Sequence, residues 1–285
     1  MIASGLPLND AEVQEFIRST LAEDLGERGD VTSKFVVPET ARLKAVMAAR
    51  EPLSVAGLPL AEQFFRTLDP DCEIELKAQD GDRAEAGAEL MVVTGSARAL
   101  LTAERSALNT VQHLSGIATL TRQYVDAIEG TGAKLLDTRK TTPGLRLLEK
   151  YATRMGGAHN HRLRLDDGIL IKDNHIAIVG SIEAAVQAAL ANRTVLQVQV
   201  EVDTLDQIEP ALAAGAERLL LDNMDPPTLR KAVALVAGRV PLEASGGVNL
   251  QTIRSIAETG VDFISVGRIT QSAPAVDIGL DFLSA

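Results

Sequence analysis

The stretch Arg218–Gly238, RLLLDNMDPPTLRKAVALVAG, decides the fold. Its first part, Arg218–Asp222, is an apolar run too short for a helix and dominated by leucine. It reads as a buried parallel strand. Asp222 and Asn223 stand at its end. Asp225 followed by Pro226 is a helix cap with proline in the first turn. An amphipathic helix is predicted over Pro226–Ala237, and Gly238 stands where it should stop.

The same unit recurs on both sides. Further strands are predicted at Ala133–Asp137, Gly168–Lys172, Leu196–Val202, Val240–Ala244 and Phe263–Val266. Helices are predicted at Pro143–Met155, Ser181–Ala191, Leu205–Ala214 and Leu250–Thr259. Gly156, Gly215 and Gly260 mark further helix ends, and Thr204 with Gln207 has capping-box spacing. Sustained strand–helix alternation predicts a closed or partly open β/α barrel, or else a doubly wound sheet. The barrel is preferred because polar residues recur at the strand ends, where barrel enzymes concentrate their chemistry.

Residues 1 to about 105 have a different pattern. Ala11–Leu25 is an amphipathic helix with Val13, Phe16, Ile17 and Leu21 on one face. Ala41–Ala49 alternates like a half-buried strand, and Leu58–Leu68 suits a helix. Cys72–Ala78 and Glu89–Thr94 read as strands, with turns at Gly81-Asp82 and Gly87. The result is a mixed α+β module. Ala99–Ile128 is helical and links it to the barrel.

Composition narrows the function. The chain has 285 residues, with room for one large domain or two modest ones. An excess of acidic residues gives a net charge of −11, which argues against nucleic-acid binding. A single cysteine, Cys72, excludes an intrachain disulfide framework and a cysteine-based zinc site, and a reducing, cytoplasmic setting is the default. No apolar run approaches the ~20 residues of a membrane span, and the N-terminus does not read as a signal peptide. Against this acidic background, residues 102–175 hold 11 Lys and Arg against 8 Asp and Glu, and all four histidines. A cationic island in an acidic protein points to a small, multiply anionic ligand.

The strand ends supply the chemistry. In order they carry Asp137-Thr138-Arg139-Lys140, Lys172-Asp173-Asn174-His175, Glu201 with Asp203, Asp222-Asn223, Ser245-Gly246-Gly247 and Gly267-Arg268. Arg139 and Arg162 can grip carboxylates bidentately, whereas Lys140 and Lys172 act as point charges. Glu201 and Asp222 are hard oxygen donors suited to Mg²⁺. Ser245–Gly247 leaves backbone N–H groups open to a phosphate, aided by the N-terminus of the following helix. Taken singly, the bland readings compete. Ser-Gly-Gly is usually a turn, and a strand-end Asp often only caps a helix. His113 and His159 read as structural. Arg146, Lys150 and Arg154, four residues apart, read as a solvated helix face. The Asn160-His161-Arg162 cluster has no such default, and the case rests on convergence.

At these residues the chain resembles the quinolinate phosphoribosyltransferase family. The resemblance is carried by Thr102–Asn109, His113–Thr119, Asp137–Thr141, Asn160–Arg162, Leu170–His175, Glu201–Asp203, Leu221–Asn223, Glu243–Gly247 and Asp277–Asp281, in order along essentially the whole chain. It implies an α/β protein: an N-terminal α+β sandwich domain over residues 1–105, to which the tail 273–285 returns, plus a C-terminal open β/α barrel over 106–272. It implies conversion of quinolinate and phosphoribosyl pyrophosphate (PRPP) to nicotinate mononucleotide, pyrophosphate and CO₂ with Mg²⁺, in NAD biosynthesis. It also implies a homodimer with shared active sites, in which Arg105 reaches the neighbouring subunit's site; further assembly stays open.

The implied roles follow. Arg105, Arg139, His161, Arg162 and Lys172 would bind the quinolinate carboxylates. Lys140 and Lys172 would face PRPP phosphates. Glu201 and Asp222 would position Mg²⁺ and the ribose hydroxyls. Thr138, Ser245, Gly246, Gly247, Val266, Gly267 and Arg268 would complete the substrate site. Lys140, Lys172, Glu201 and Asp222 form the expected catalytic set. Many relatives have a small residue where this chain has Arg268 and a basic one where it has Gln271. The rival enzymes are a non-decarboxylating nicotinate phosphoribosyltransferase and a molybdenum-transport-associated paralogue. A rival of another class is a non-catalytic anion-binding barrel, against which the retained Glu201 and Asp222 argue.

Overall fold

A computed structural model describes residues 5–193 and 195–283. Residues 1–4, part of the N-terminus read as lacking a signal peptide, and 284–285, the end of the returning tail, lie outside the described residues. The chain forms two compact units. The first comprises residues 1–122, 147–157 and 272–285; the second comprises 123–146 and 158–271. The domain boundary expected after Arg105 therefore falls inside one unbroken helix, α4.

The first unit opens with α1 (Asp10–Leu25) and α2 (Val31–Val36). Next come β1 (Arg42–Ala49), β2 (Leu53–Ser54), α3 (Leu58–Leu68), β3 (Glu73–Leu76), β4 (Arg83–Ala84), β5 (Glu89–Ser96) and α4 (Ala97–Ala127). Asn9 and Glu12 close a capping box at the start of α1. Its apolar face buries Val13, Ile17 and Leu21, and Phe16 packs edge-on against Phe64 of α3 at 6.2 Å. Phe64 and Phe65 are fully buried, each contributing roughly 1.5–3 kcal/mol by area.

The second unit is built on parallel strands. Its elements are β6 (Lys134–Leu136), β7 (Ile169–Ile171), α6 (Asp173–Val179), α7 (Ile182–Asn192), β8 (Val198–Val202), a 3₁₀ turn (Leu205–Gln207), α8 (Ile208–Ala213), β9 (Arg218–Asp222), α9 (Pro226–Val236), β10 (Leu242–Ser245), α10 (Ile253–Ala257), β11 (Phe263–Ser265) and α11 (Arg268–Gln271). Between β6 and β7 the chain passes through α5 (Arg146–Met155), and after α11 it ends in β12 (Ile278–Leu283). Within the first unit β12 pairs antiparallel with β1, giving a sheet of order β12-β1-β5-β3.

The parallel sheet has order β6-β11-β10-β9-β8-β7. First and last strands are neighbours, as in a barrel, but β6 and β7 do not pair, so the barrel is open there. An isolated bridge from Leu136 to His159 flanks the opening. Parallel strands need crossovers of a dozen or more residues, and the helices supply them. Asp225 caps α9, with its side chain accepting from Thr228 N at 2.9 Å. Thr204 and Gln207 form the expected capping box.

Several expectations need correction. Gly156 does stop α5, but the left-handed conformation that usually favours glycine at a helix end falls on Gly157, at φ +96°. A Cβ at Gly156 would strike Thr121 and the Ala118 carbonyl, so close packing explains that glycine instead. Arg146 and Lys150 are not a solvated face. Lys150 is only 2% exposed, and Arg146 is half-buried and fully engaged. Helix α5 buries residues on both faces, which a four-residue spacing of cations does not reveal. The phosphate-loop helix begins only at Ile253 and is short, so it does not directly follow Ser245–Gly247. Among the described residues no single helix is long and apolar enough to cross a membrane.

Candidate active site

Strand register places the second unit's polar side chains in layers. Gln199 lies beside Arg218. Glu201 lies beside Leu220, which lies beside Glu243. Asp222 lies beside Ser245. Residues two apart share a face of a strand, so Gln199 and Glu201, Arg218 and Asp222, and Glu243 and Ser245 stack on one side. Asp222 and Ser245 form the layer nearest the strand ends.

At the open edge, Asp137 ends β6 fully buried. It accepts from Asn160 Nδ2 at 2.5 Å and from the His161 backbone N–H at 2.9 Å. This ties the segment around residues 159–161 to the β6 end and fixes where His161 and Arg162 begin. The Arg162 N–H donates to His161 Nδ1 at 2.7 Å, and Arg162 Nη1 donates to the Gly168 carbonyl at 2.9 Å. Arg146 clasps the neighbouring loop, donating to Thr141 Oγ1 at 3.0 Å and to the Arg139 and Leu163 carbonyls at 3.3 Å.

Arg139 and Arg162 are close enough to repel. Burial, then the Arg139 charge, pushes the Arg162 guanidinium below its ordinary value, against an opposing pull from Asp167. Arg139 Nε is buried without a hydrogen-bond partner. Among the described residues neither guanidinium has a carboxylate at salt-bridge distance. Two adjacent guanidinium ions without a salt-bridged carboxylate have the charge and fork geometry to take a dianion.

The β8–β10 ends differ, because cations and carboxylates alternate there. Lys172 Nζ pairs with Glu201 Oε2. Glu201 is 9% exposed and Lys172 44% exposed, so the pair is half in water and its net worth is small. Asp222 is pushed up from the usual aspartate value, first by burial and also by Asp203. Lys172, Lys140 and a hydrogen bond from Ser245 oppose the rise. Asn223 follows at φ +54°, a conformation asparagine tolerates, and its amide donates to Asp222 at 2.6 Å. A Cβ at Gly246, φ +91°, would collide with Asn223, so only glycine fits that turn. A Cβ at Gly267 would strike the Lys140 side chain 2.7 Å away. The Lys140 N–H donates to Thr138 Oγ1 at 3.0 Å, and its carbonyl accepts from Thr270.

The second unit thus brings together Thr138, Arg139, Lys140, His161, Arg162, Lys172, Glu201, Asp222, Ser245–Gly247 and Gly267. Val266 is buried, with its N–H donated to the Leu136 carbonyl, and Arg268 is exposed at the head of α11. Arg105 belongs to the first unit and is exposed on α4.

Sequence reasoning missed Glu243, Arg218 and Gln199. Glu243 is fully buried, and its Oε2 accepts from Gln199 at 2.9 Å and Arg218 at 2.7 Å, with His161 Nε2 at 3.4 Å. Burial alone would raise its pKa; the hydrogen bond from His161, with the Arg218 charge and the Gln199 hydrogen bond, outweighs it and holds it below the ordinary glutamate value. The available signal was an acid two residues before Ser245 inside an apolar strand.

Glu201 and Asp222 offer two carboxylates, which suits an ion that keeps waters and takes phosphate oxygens, as Mg²⁺ does. Among the described residues no group of three or more potential ligands forms a protein-only metal cage.

An open parallel barrel with a dicationic corner, adjoining carboxylates and a glycine turn defines an α/β-barrel enzyme of anionic substrates. Residues 30–115 match the N-terminal and residues 117–281 the C-terminal domain of quinolinate phosphoribosyl transferase. A probable nicotinate-nucleotide pyrophosphorylase [carboxylating] of Synechocystis is 44% identical, covering 95% of this chain and 92% of the relative. The nicotinate-nucleotide pyrophosphorylase [carboxylating] of Mycobacterium leprae is 44% identical over 96% of this chain and 99% of its own. The crystal structure of nicotinate-nucleotide pyrophosphorylase from Ehrlichia chaffeensis superposes with a TM-score of 0.91 at 42% identity, covering 95% and 98% of the two chains. The chain belongs to the quinolinate phosphoribosyltransferase family and is a phosphoribosyl transferase.

Proposed function

We propose that this protein transfers the phosphoribosyl group of PRPP to quinolinate with loss of CO₂, giving nicotinate mononucleotide and pyrophosphate. The observation that carries this reading is the Arg139–Arg162 pair, two guanidinium ions with no carboxylate at salt-bridge distance among the described residues, in the same unit as the Lys172–Glu201 and Asp222 cluster. Quinolinate brings two carboxylates beside a ring nitrogen. Arg139 and Arg162 hold the carboxylates, and Lys172 turns from Glu201 toward them. Lys140 and the Ser245–Gly247 and Gly267 backbones hold PRPP phosphates.

The ring nitrogen attacks the anomeric carbon as the bond to pyrophosphate breaks, and positive charge develops on the ribose. Glu201 and Asp222 face that charge and stabilise it. The electron pair of the breaking ring–carboxylate bond stays on the ring carbon, where the positive charge of the adjacent quaternised nitrogen stabilises it. CO₂ leaves, and the ring carbon takes a proton. Glu201 and Asp222 would hold Mg²⁺, which would supply charge neutralisation for the leaving pyrophosphate. The setting is cytoplasmic NAD biosynthesis.

The working unit is a homodimer in which Arg105 of one subunit completes the partner's site. Arg105→Ala and Lys172→Ala proteins should each be nearly inactive. Mixed with subunit exchange, they should regain activity, because a heterodimer keeps one intact site. Incubation with PRPP and Mg²⁺ plus either quinolinate or nicotinate tests the reaction. Mononucleotide should form from quinolinate, and formation from nicotinate alone would overturn the reading.

A further inference from the structure

Beneath the dicationic corner, Glu243, Gln199 and Arg218 form a buried network around His161, its one member expected at the quinolinate carboxylates. Glu243 shares a face of β10 with Ser245, one layer deeper in the second unit. Three donors converge on its Oε2: Gln199 Nε2, Arg218 Nη2 and His161 Nε2. Arg218 is itself held, its guanidinium stacked over the Phe263 ring at 4.1 Å. On the opposite side of the imidazole, Nδ1 accepts from the Arg162 N–H at 2.7 Å. An acceptor Nδ1 requires the proton to sit on Nε2, which faces Glu243.

We infer that Glu243 is a positioning residue for quinolinate, acting through His161 to fix the start of Arg162 and so the direction of its guanidinium. The inference rests on the quinolinate reading of the site. The chain of contacts is short: Glu243 orients the ring, the ring anchors the Arg162 backbone, and the Gly168 carbonyl holds Arg162 Nη1 from the far side. A receptor of two mutually repelling cations needs such anchoring, because repulsion would otherwise splay them between ligand-binding events.

The geometry discriminates between substitutions. All three donors use Oε2, while Oε1 has no hydrogen-bond partner among the described residues. Glu243→Gln can therefore place its carbonyl oxygen at the Oε2 position and keep the contacts. Glu243→Ala removes them. A double variant, Glu243→Leu with Arg218→Met, removes them without leaving a buried unpaired cation.

The test combines quinolinate and PRPP affinities with nitrogen-15 NMR of the His161 ring in the ligand-free protein. Glu243→Ala, or the double variant should Glu243→Ala not fold, should weaken quinolinate roughly tenfold to a hundredfold. PRPP affinity should stay within about twofold of wild type, and the Nε2–H tautomer signature should be lost. Glu243→Gln should restore both the tautomer and most of the quinolinate affinity. Unchanged quinolinate affinity in a folded contact-deleting variant would overturn the inference, as would equal losses for both substrates. A wild-type protein that holds the His161 tautomer but binds no quinolinate would sink the functional reading instead, leaving the His161–Glu243 geometry standing.

Discussion

The two corners of the second unit use the same side chains in opposite ways. At the β6–β7 opening, Arg139 and Arg162 stand together with no carboxylate at salt-bridge distance among the described residues, and they repel. At the β8–β10 ends, Lys172 lies on Glu201, and Asp222 feels both Lys172 and Lys140. An uncompensated pair binds an anion that brings its own charge. A compensated cluster carries both signs and can respond to charge of either sign. On the proposed reaction, the first corner serves ground-state binding and the second the transition state.

Breaking the first corner should give the largest effect. Arg139→Ala removes one cation of the pair and should weaken quinolinate binding by roughly 2–5 kcal/mol. Calorimetry on the folded variant checks this, and PRPP affinity should change far less.

Next comes the compensated corner. Asp222→Asn should lower kcat by about 10²-fold while quinolinate affinity holds, because the lost charge acts on the developing cation. Steady-state kinetics with both substrates varied would show it, and a fall in quinolinate affinity alone would erase the proposed division of labour. Activity in both proteins should also vanish in excess chelator.

A third change touches the turn beneath Asp222. Gly246→Ala places a side chain at φ +91° against Asn223. Strain of about 1–3 kcal/mol should appear as lower stability and a raised KM for PRPP. Chemical denaturation separates the two.

The smallest expected effect concerns stability. The Asp222 carboxyl is raised in the folded state, so the unfolded chain ionises it first, and folding is disfavoured as pH rises above 3.8 through the folded value. Asp222→Asn should therefore raise Tm modestly at neutral pH, with the gain shrinking on acidification. A lower Tm at neutral pH would show that Asp222 is structural.

The compensated corner was the more legible in sequence. Arg218–Asp222 was read with both strand ends correct, Leu58–Leu68 likewise, and Glu201 and Asp222 stood out as acids closing apolar runs. Local periodicity carries that information. The open corner is assembled from segments without it. Helix α6, Asp173–Val179, buries no residue, so it has no apolar stripe to betray it. The segment around residues 159–161 is placed by Asp137, and only the tertiary fold brings the two together. Glu243 was missed because a strand pattern is read from its apolar members. Arg146 and Lys150 were misread because spacing cannot tell water from a covering neighbour.

The account stands most directly on the fate of one carboxylate. With quinolinate labelled at the carboxyl beside the ring nitrogen, the released gas and the mononucleotide can be counted together. Labelled CO₂ should appear in equal amount to nicotinate mononucleotide, and only when PRPP is present. Mononucleotide that keeps the label, or CO₂ released without PRPP, would contradict it.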